Sequence, residues 1–417
     1  MNAPRIEAPA TARWDEVIRV VVRATPGAEV TLKACMQDAR KRQWESEARF
    51  RAGANGCVEL GSDTPLGGDY DSDRPMAFIE AMRLLSEPPA PFATGSGEPH
   101  RVELTATSDG QQATATVERF IREERVRSED VPIDGGVARL YLPDGAVRGG
   151  VLVVSGSGGG RPDDIPALLA AHGFAALSLA YFGMAGLPAE LVEIDVAIMS
   201  HALSIMRSRP ELRNKKLALH GRSRGSELVF LTALRDQVHA VIGLAPSGVP
   251  WGGVTARGPS DKSAWLVGGD HVAYPGQDRP LPQLPPLPPG QPLAMTPLFE
   301  RLLEDSEAVA RCAFPLERFP GPILLVSGGD DALWPSRRLS DIVVEKRARH
   351  RLTTEHATYE RAGHLIGPPY QPTTQNSTVH PITRTAISFG GDPASDAIAS
   401  EDSWRRTLAF LQTSLVD

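Results

Sequence analysis

The sequence predicts a chain of two unequal parts: an N-terminal β-sandwich over residues 1–125, and an α/β domain with a mostly parallel sheet over residues 126–417. Three observations carry this. The first part holds short strand-like runs separated by turn signals. Beyond Val131, apolar runs alternate with helical stretches. Gly (39) and Pro (36) are both plentiful, which favours turns and loops over a helical bundle. A length of 417 residues also suits two domains better than one.

In the first part, residues 17–22 form a β-branched run, and residues 30–34 follow the turn signal Pro26-Gly27. Residues 44–51 alternate large and polar side chains. Residues 102–107 and 113–120 are strands separated by Ser108-Asp109-Gly110, a hairpin-type turn. Short strands at this spacing predict a sandwich. The segment contains no candidate nucleophile–base pair.

In the second part, residues 137–142, 150–154, 175–180, 217–220, 240–244 and 322–327 read as strands. Residues 191–208 have helical periodicity, with Leu191, Ile194, Ile198, Leu203 and Met206 recurring at three to four residues. Alternating β and α elements predict a sheet covered on both faces. Residues 273–292, AYPGQDRPLPQLPPLPPGQP, interrupt this rhythm. Proline lacks the amide hydrogen that strands and helix interiors use, so this segment reads as an extended loop: a spacer, a lid or a polyproline docking segment.

Bulk composition excludes several classes. A net charge of -7 gives no general attraction to nucleic acid or anionic membranes. Three cysteines without CxxC spacing argue against a disulfide framework and a cysteine zinc site. The N-terminal residues lack the apolar core of a signal peptide, no run reaches about 20 apolar residues, and residues 414–417 do not form a peroxisomal address. A cytoplasmic location is expected, with no cofactor, since no metal cluster or dinucleotide motif stands out.

The chemistry concentrates in Gly221-Arg222-Ser223-Arg224-Gly225, which follows the apolar run 217–220 and precedes a helical stretch at 226–234. A strand entering Gly-x-Ser-x-Gly before a helix is a nucleophile elbow. Side chains at Gly221 and Gly225 would collide with neighbouring backbone. The helix that follows points its N-terminal amides at a developing oxyanion. The orienting acid is expected after a later strand. Residues 323–327 lead into Gly328-Gly329-Asp330-Asp331, with Asp331 at the expected position and Asp330 as the fallback. The base is expected later still. His364, in Ala362-Gly363-His364, fits the order Ser, Asp, His; His350, His356 and His380 compete with it. Ser223 as nucleophile, Asp331 and His364 thus form the catalytic set of an α/β-hydrolase domain.

Two oxyanion donors follow. One is the backbone N–H of Arg224, the residue after the nucleophile. The other lies in Ser155-Gly156-Ser157-Gly158-Gly159-Gly160, after the strand 150–154, with Ser157 preferred and Gly158 second. Without a following Gly-Lys-Ser/Thr, this glycine loop is not a phosphate-binding loop. Arg222 and Arg224 flank the nucleophile, where two guanidinium groups suit a carboxylate or a phosphate, or else face solvent.

Together these residues resemble the acyl-CoA thioesterase / bile acid-CoA:amino acid N-acyltransferase family along nearly the whole chain. The likeness includes Pro65-Leu66-Gly67-Gly68-Asp69-Tyr70, Gly156-Ser157-Gly158-Gly159-Gly160 and Leu179-Ala180-Tyr181-Phe182. It continues through Ala362-Gly363-His364-Leu365-Ile366-Gly367-Pro368-Pro369-Tyr370 and Phe389-Gly390-Gly391-Asp392-Pro393 to the closing helix at 404–411. The resemblance implies a β-sandwich joined to an α/β-hydrolase domain, thioester chemistry, and an acyl-enzyme on Ser223 completed by Asp331 and His364. The acyltransferase branch carries Cys at the nucleophile position; Ser223 leans toward water as the acceptor. Departures are the paired arginines and the proline-rich insertion. The implied function is hydrolysis of an acyl thioester on coenzyme A or a carrier protein. Acyl transfer to an amine or alcohol, ester or peptide hydrolysis, and a non-catalytic scaffold are the alternatives.

Overall fold

Alternating burial runs through the long N-terminal strands. Glu29–Gln37, Gln43–Arg51 and His100–Ser108 each bury every second side chain. That period arises when a pleated strand has one face covered. These strands pair antiparallel and, with Gln111–Phe120, form the centre of a seven-stranded sheet. A three-stranded sheet of Arg5–Glu7, Val21–Arg23 and Cys57–Glu59 accompanies it. The expected hairpin turn is present: Asp109 and Gly110 take φ of 50° and 74°, the two positive values of a type I′ turn. The run at 17–22 pairs only from Val21 onward. Val17 is half exposed, and the Ile18 amide donates to the Met76 sulfur instead of a strand partner.

The computed structural model describes residues 3–282, 288 and 290–416, so the middle of the proline-rich stretch, 283–287 and 289, lies outside the described residues. The chain divides into two units. The first comprises Met1–Glu123, Gly367–Thr378 and Asp392–Glu401; the second comprises Glu124–Ile366, Val379–Gly391 and Asp402–Asp417. Two late segments therefore cluster with the strand-rich unit, although sequence order runs them in with the α/β part. Within that unit, the buried Arg119 guanidinium donates to the Trp14 and Tyr370 carbonyls and lies 3.9 Å from the Trp14 ring centroid.

The second unit is built on eight strands: β1 (Arg127–Val131), β2 (Val137–Leu142), β3 (Gly150–Val154), β4 (Ala175–Ala180), β5 (Leu217–Arg222), β6 (Ala240–Leu244), β7 (Ile323–Gly328) and β8 (Thr354–Tyr359). Their order in the sheet is β1-β2-β4-β3-β5-β6-β7-β8. β2 runs antiparallel to β1 and β4, and every pair from β4 to β8 is parallel. Residues of β3, β4, β6 and β7 are buried throughout. Such continuous apolar runs belong to a sheet covered on both faces. Helices α1 (Asp164–Ala171), α2 (Ala197–Ser208), α3 (Arg224–Ala233), α4 (Thr296–Leu302), α5 (Ser306–Cys312) and α6 (Ser336–Arg349) belong to the same unit. This is an α/β-hydrolase sheet. From β3 the chain moves to β4 on one side, while β5 lies on the other. The carboxyl ends of β3 and β5 therefore form a topological switch point, where open α/β sheets place their ligands.

The expected helix at 191–208 is shorter. It begins at Ala197, because Glu193 takes φ 54°, a value a right-handed helix does not admit. Leu191 and Ile194 instead bridge to Val254 and Trp265. Those partners lie in the strands Gly252–Thr255 and Trp265–Val267, which with Gly258–Ser263 and Asp270–His271 are inserted after β6.

Candidate active site

Ser223 sits between β5 and α3 with φ 53° and ψ -125°, strained for a residue that carries a Cβ. Its amide donates to the Leu244 carbonyl at 2.8 Å, and its carbonyl accepts from the Ser226 amide at 2.8 Å. The flanking glycines are dictated by space. A Cβ at Gly221 would lie 2.3 Å from the Gly225 oxygen, and one at Gly225 would lie 2.4 Å from the Ser155 oxygen. Strand, tight turn and helix thus close on one another with no room for a side chain at Gly221 or Gly225.

The expected acid and base follow two later strands. Asp331 follows β7. Its Oδ1 accepts from the Leu333 amide at 2.9 Å and the Trp334 amide at 3.2 Å, while Oδ2 lies 2.8 Å from His364 Nδ1. His364 follows β8, and its amide donates to the Phe389 carbonyl. The imidazole stacks near Phe389 and meets Trp334 edge-on. Asp331 and His364 are both buried; the fallback Asp330 is exposed. The other histidine candidates lie elsewhere. His350 follows the last turn of α6, and His356 Nε2 lies 2.7 Å from Ser327 Oγ within the sheet. His380 lines the cavity described below.

The glycine loop after β3 passes against the elbow. A Cβ at Gly156 would meet the Ser223 Cβ at 2.9 Å. The loop is closed by Ser155 Oγ donating to the Gly160 carbonyl at 2.8 Å, by the Gly159 amide donating to the Gly156 carbonyl, and by the Gly160 amide donating to the Phe182 carbonyl. Ser157 lines the same cavity as Ser223. Gly158 lies beside Pro381, whose ring would be 3.8 Å from an added Cβ.

The paired arginines are engaged with protein groups. Arg222 Nη2 donates to the Ile366 carbonyl at 3.0 Å, two residues beyond His364. Arg224 is buried; its Nη2 donates to the Trp251 and Gly252 carbonyls, and its Nε lies 3.2 Å from Glu227 Oε1. Glu227 Oε2 in turn accepts from the Trp265 indole at 2.7 Å and the Trp251 amide at 3.2 Å. Burial dominates the carboxyl and pushes its pKa up to about 7, against the opposing pull of Arg224. The solvated-arginine expectation therefore fails for Arg224, whose guanidinium braces the segment at 251–252 from inside.

Ser223 opens into a mostly apolar cavity of about 210 Å³ in the second unit. Its walls include Trp251, Val254, Leu298, Phe299, Leu302 and Trp334. Sequence reasoning passed over these. Helix α4 and the strands inserted after β6 carry no motif that would mark them. Tyr274, Pro275 and Leu281, from the described start of the proline-rich stretch, also reach the cavity. Among the described residues, no group of three His, Cys, Asp or Glu side chains is placed to hold a metal, and no helix is long and apolar enough to cross a membrane. Cys35, Cys57 and Cys312 are free.

Residues 15–133 match the family described as the acyl-CoA thioester hydrolase/BAAT N-terminal region, and residues 290–417 match the BAAT/acyl-CoA thioester hydrolase C-terminal family. The chain is 30% identical to the peroxisomal succinyl-coenzyme A thioesterase of Mus musculus, over 95% of this chain and 93% of that one. It is 30% identical to acyl-coenzyme A thioesterase 1 of Mus musculus, over 96% and 94%. It is 27% identical to the mitochondrial acyl-coenzyme A thioesterase 2 of Homo sapiens, over 96% and 82%. These full-length alignments also span the stretch between the two matched regions, where Ser223 lies. The chain belongs to the acyl-CoA thioester hydrolase/BAAT family of enzymes.

Proposed function

We propose that this protein hydrolyses acyl-coenzyme A thioesters through an acyl-enzyme on Ser223. Two observations support the reading: an elbow serine open to an apolar cavity, and a His364–Asp331 pair held 2.8 Å apart whose imidazole meets Trp334, a residue of that cavity's wall.

The pair supports a defined proton path. Asp331 accepts the Nδ1–H of His364, which leaves Nε2 as the basic nitrogen. Nε2 takes the Ser223 hydroxyl proton as Oγ bonds to the thioester carbonyl carbon. The oxyanion is received by the Arg224 amide, at the N-terminus of α3, and by the Ser157 amide. Collapse breaks the carbon–sulfur bond, and the departing thiolate takes the proton from His364. Water, deprotonated by the same imidazole, then attacks the ester carbonyl. The carboxylic acid leaves and Ser223 recovers its proton.

The cavity supports a hydrocarbon acyl group. Among its described lining residues, Arg224 is the only permanent charge, and that guanidinium is committed to Glu227 and two carbonyls. A carboxylate at the far end of an acyl group would find no free cation there. Three free cysteines fit a reducing compartment.

The test is thiol release from straight-chain acyl-CoAs of increasing length, with acid-quenched samples digested for mass spectrometry. An acyl adduct on the Ser223 peptide and release of free acid are expected. A conjugate formed with an added amine, at the expense of free acid, would move the reading to acyl transfer. No thiol release with any chain would overturn it.

A further inference from the structure

The glycine loop that faces Ser223 is tied at its ends and closed across its middle by the Gly159 amide–Gly156 carbonyl bond, with few side chains to set its position. Ser155 and Gly160 are held by the bonds given above, and the Tyr181 hydroxyl also donates to the Ser155 carbonyl at 2.9 Å. Between Gly156 and Gly160, only Ser157 has a side chain. Its Oγ lies 3.2 Å from His380 Nε2. His380 is buried and lines the cavity that holds Ser223 and Ser157.

The chemistry of this contact can be assigned from the other side of the ring. Nδ1 of His380 accepts from the Ile382 and Thr383 amides, each at 3.3 Å. An amide N–H only donates, so Nδ1 carries the lone pair and the neutral ring bears its hydrogen on Nε2. Nε2–H therefore donates to Ser157 Oγ. The turn that supplies those amides is closed by its own backbone: the His380 amide donates to the Thr385 carbonyl at 2.9 Å and the Arg384 amide to the His380 carbonyl at 3.0 Å. Burial lowers the imidazole's pKa and keeps it neutral. A hydrogen-bonded turn thus presents one donor to Ser157, the side chain between Gly156 and Gly160.

We propose that His380 is a positioning residue for the reaction at Ser223: its Nε2–H holds Ser157 Oγ and so fixes the loop whose amide receives the oxyanion. This rests on the acyl-enzyme reading of the site. Oxyanion donors act only within a narrow distance of the developing charge, so a loop rich in glycine requires such an anchor. The effect falls on the transition state and leaves ground-state binding by the apolar cavity unchanged.

Two amide-bearing variants separate this role from a purely structural one. The Asn side chain places its polar atoms near the Nδ1 position, and Gln reaches the Nε2 position. His380→Asn keeps an acceptor for the turn and loses the bond to Ser157. His380→Gln keeps a donor for Ser157. His380→Asn is expected to lower kcat at least about tenfold with KM within about twofold, while His380→Gln recovers most of the loss. Ser157→Ala leaves the turn untouched and should show the same kcat loss. On that background, His380→Asn should cost less than about twofold more. The rate at which a fluorophosphonate labels Ser223 gives the same comparison without any thioester. A wild type that labels but releases no thiol thus defeats the thioester reading alone. A reversed order of the Asn and Gln variants, a wild-type kcat for Ser157→Ala, or a full repeat of the His380→Asn loss on the Ser157→Ala background overturns the positioning role.

Discussion

Asp331 divides its carboxylate between two tasks: Oδ1 caps the Leu333 and Trp334 amides, and Oδ2 lies 2.8 Å from His364 Nδ1. The amide contacts fix the carboxylate plane, and the carboxylate fixes the imidazole. Asp331→Asn keeps an acceptor for the two backbone amides but can present an NH₂ group to Nδ1, which favours the wrong tautomer. The expected result is a folded protein whose kcat falls by about a thousandfold to ten-thousandfold. Asp330→Asn, at an exposed neighbour, should stay within about twofold of wild type in the same steady-state assay. Equal loss in the two variants would contradict the assignment of the acid.

Gly225 packs its Cα against the carbonyl of Ser155, where an added Cβ would lie 2.4 Å from the oxygen. Gly225→Ala must push β3 away from the elbow or rotate the first turn of α3. A loss of about 1–3 kcal/mol in unfolding free energy is expected, as for other overpacked sites. Activity should fall with it, because the Arg224 amide moves with α3. Chemical denaturation beside steady-state kinetics checks both; unchanged stability would show that the elbow is looser than its geometry implies.

Glu227 gives stability a pH dependence of unusual sign. Its ordinary carboxyl pKa is 4.5, and burial raises it to about 7 in the folded protein. Below pH 4.5 both folded and unfolded states hold the proton. Between 4.5 and 7 the folded state keeps a proton that the unfolded chain has released, so this group's contribution falls as pH rises, by on the order of 3 kcal/mol at most. Glu227→Gln removes the titration. Unfolding free energy, measured as wild type minus variant across pH 4 to 8, should decline through that window and level off above it. A flat difference would show that Arg224 keeps the carboxylate ionised throughout.

Much of this site is legible in the sequence, because each part is local. A buried strand entering Gly221-Arg222-Ser223-Arg224-Gly225, a strand ending at Asp331 and a loop ending at His364 each announce themselves within a dozen residues. The rest depends on long-range partners. Leu191 and Ile194 keep helical spacing with Ile198, yet they pair with Val254 and Trp265, which no periodicity encodes. Arg224 reads as an anion-holding group or a solvated charge until Glu227 and the 251–252 carbonyls are brought to it. His380 reads as one of three competitors for the base until the fold sets it against Ser157.

The cavity wall formed by Leu298, Phe299 and Leu302 on α4 predicts how acyl length is read. Each methylene buried contributes about 0.8 kcal/mol, so kcat/KM should rise about fourfold per carbon until the cavity is filled and then level off. Leu302→Trp fills part of the space and should move that plateau to shorter chains, leaving the shortest substrates within about twofold of wild type. The same length profile in both proteins would place the acyl chain elsewhere.

The central claim is that Ser223 carries the acyl group, and Ser223→Ala against wild type tests it most directly. With an acyl-CoA that wild type turns over, thiol release by the folded variant should fall at least about a thousandfold, and no acylated peptide should be found in quenched samples. Thiol release by Ser223→Ala within about tenfold of wild type would contradict the account.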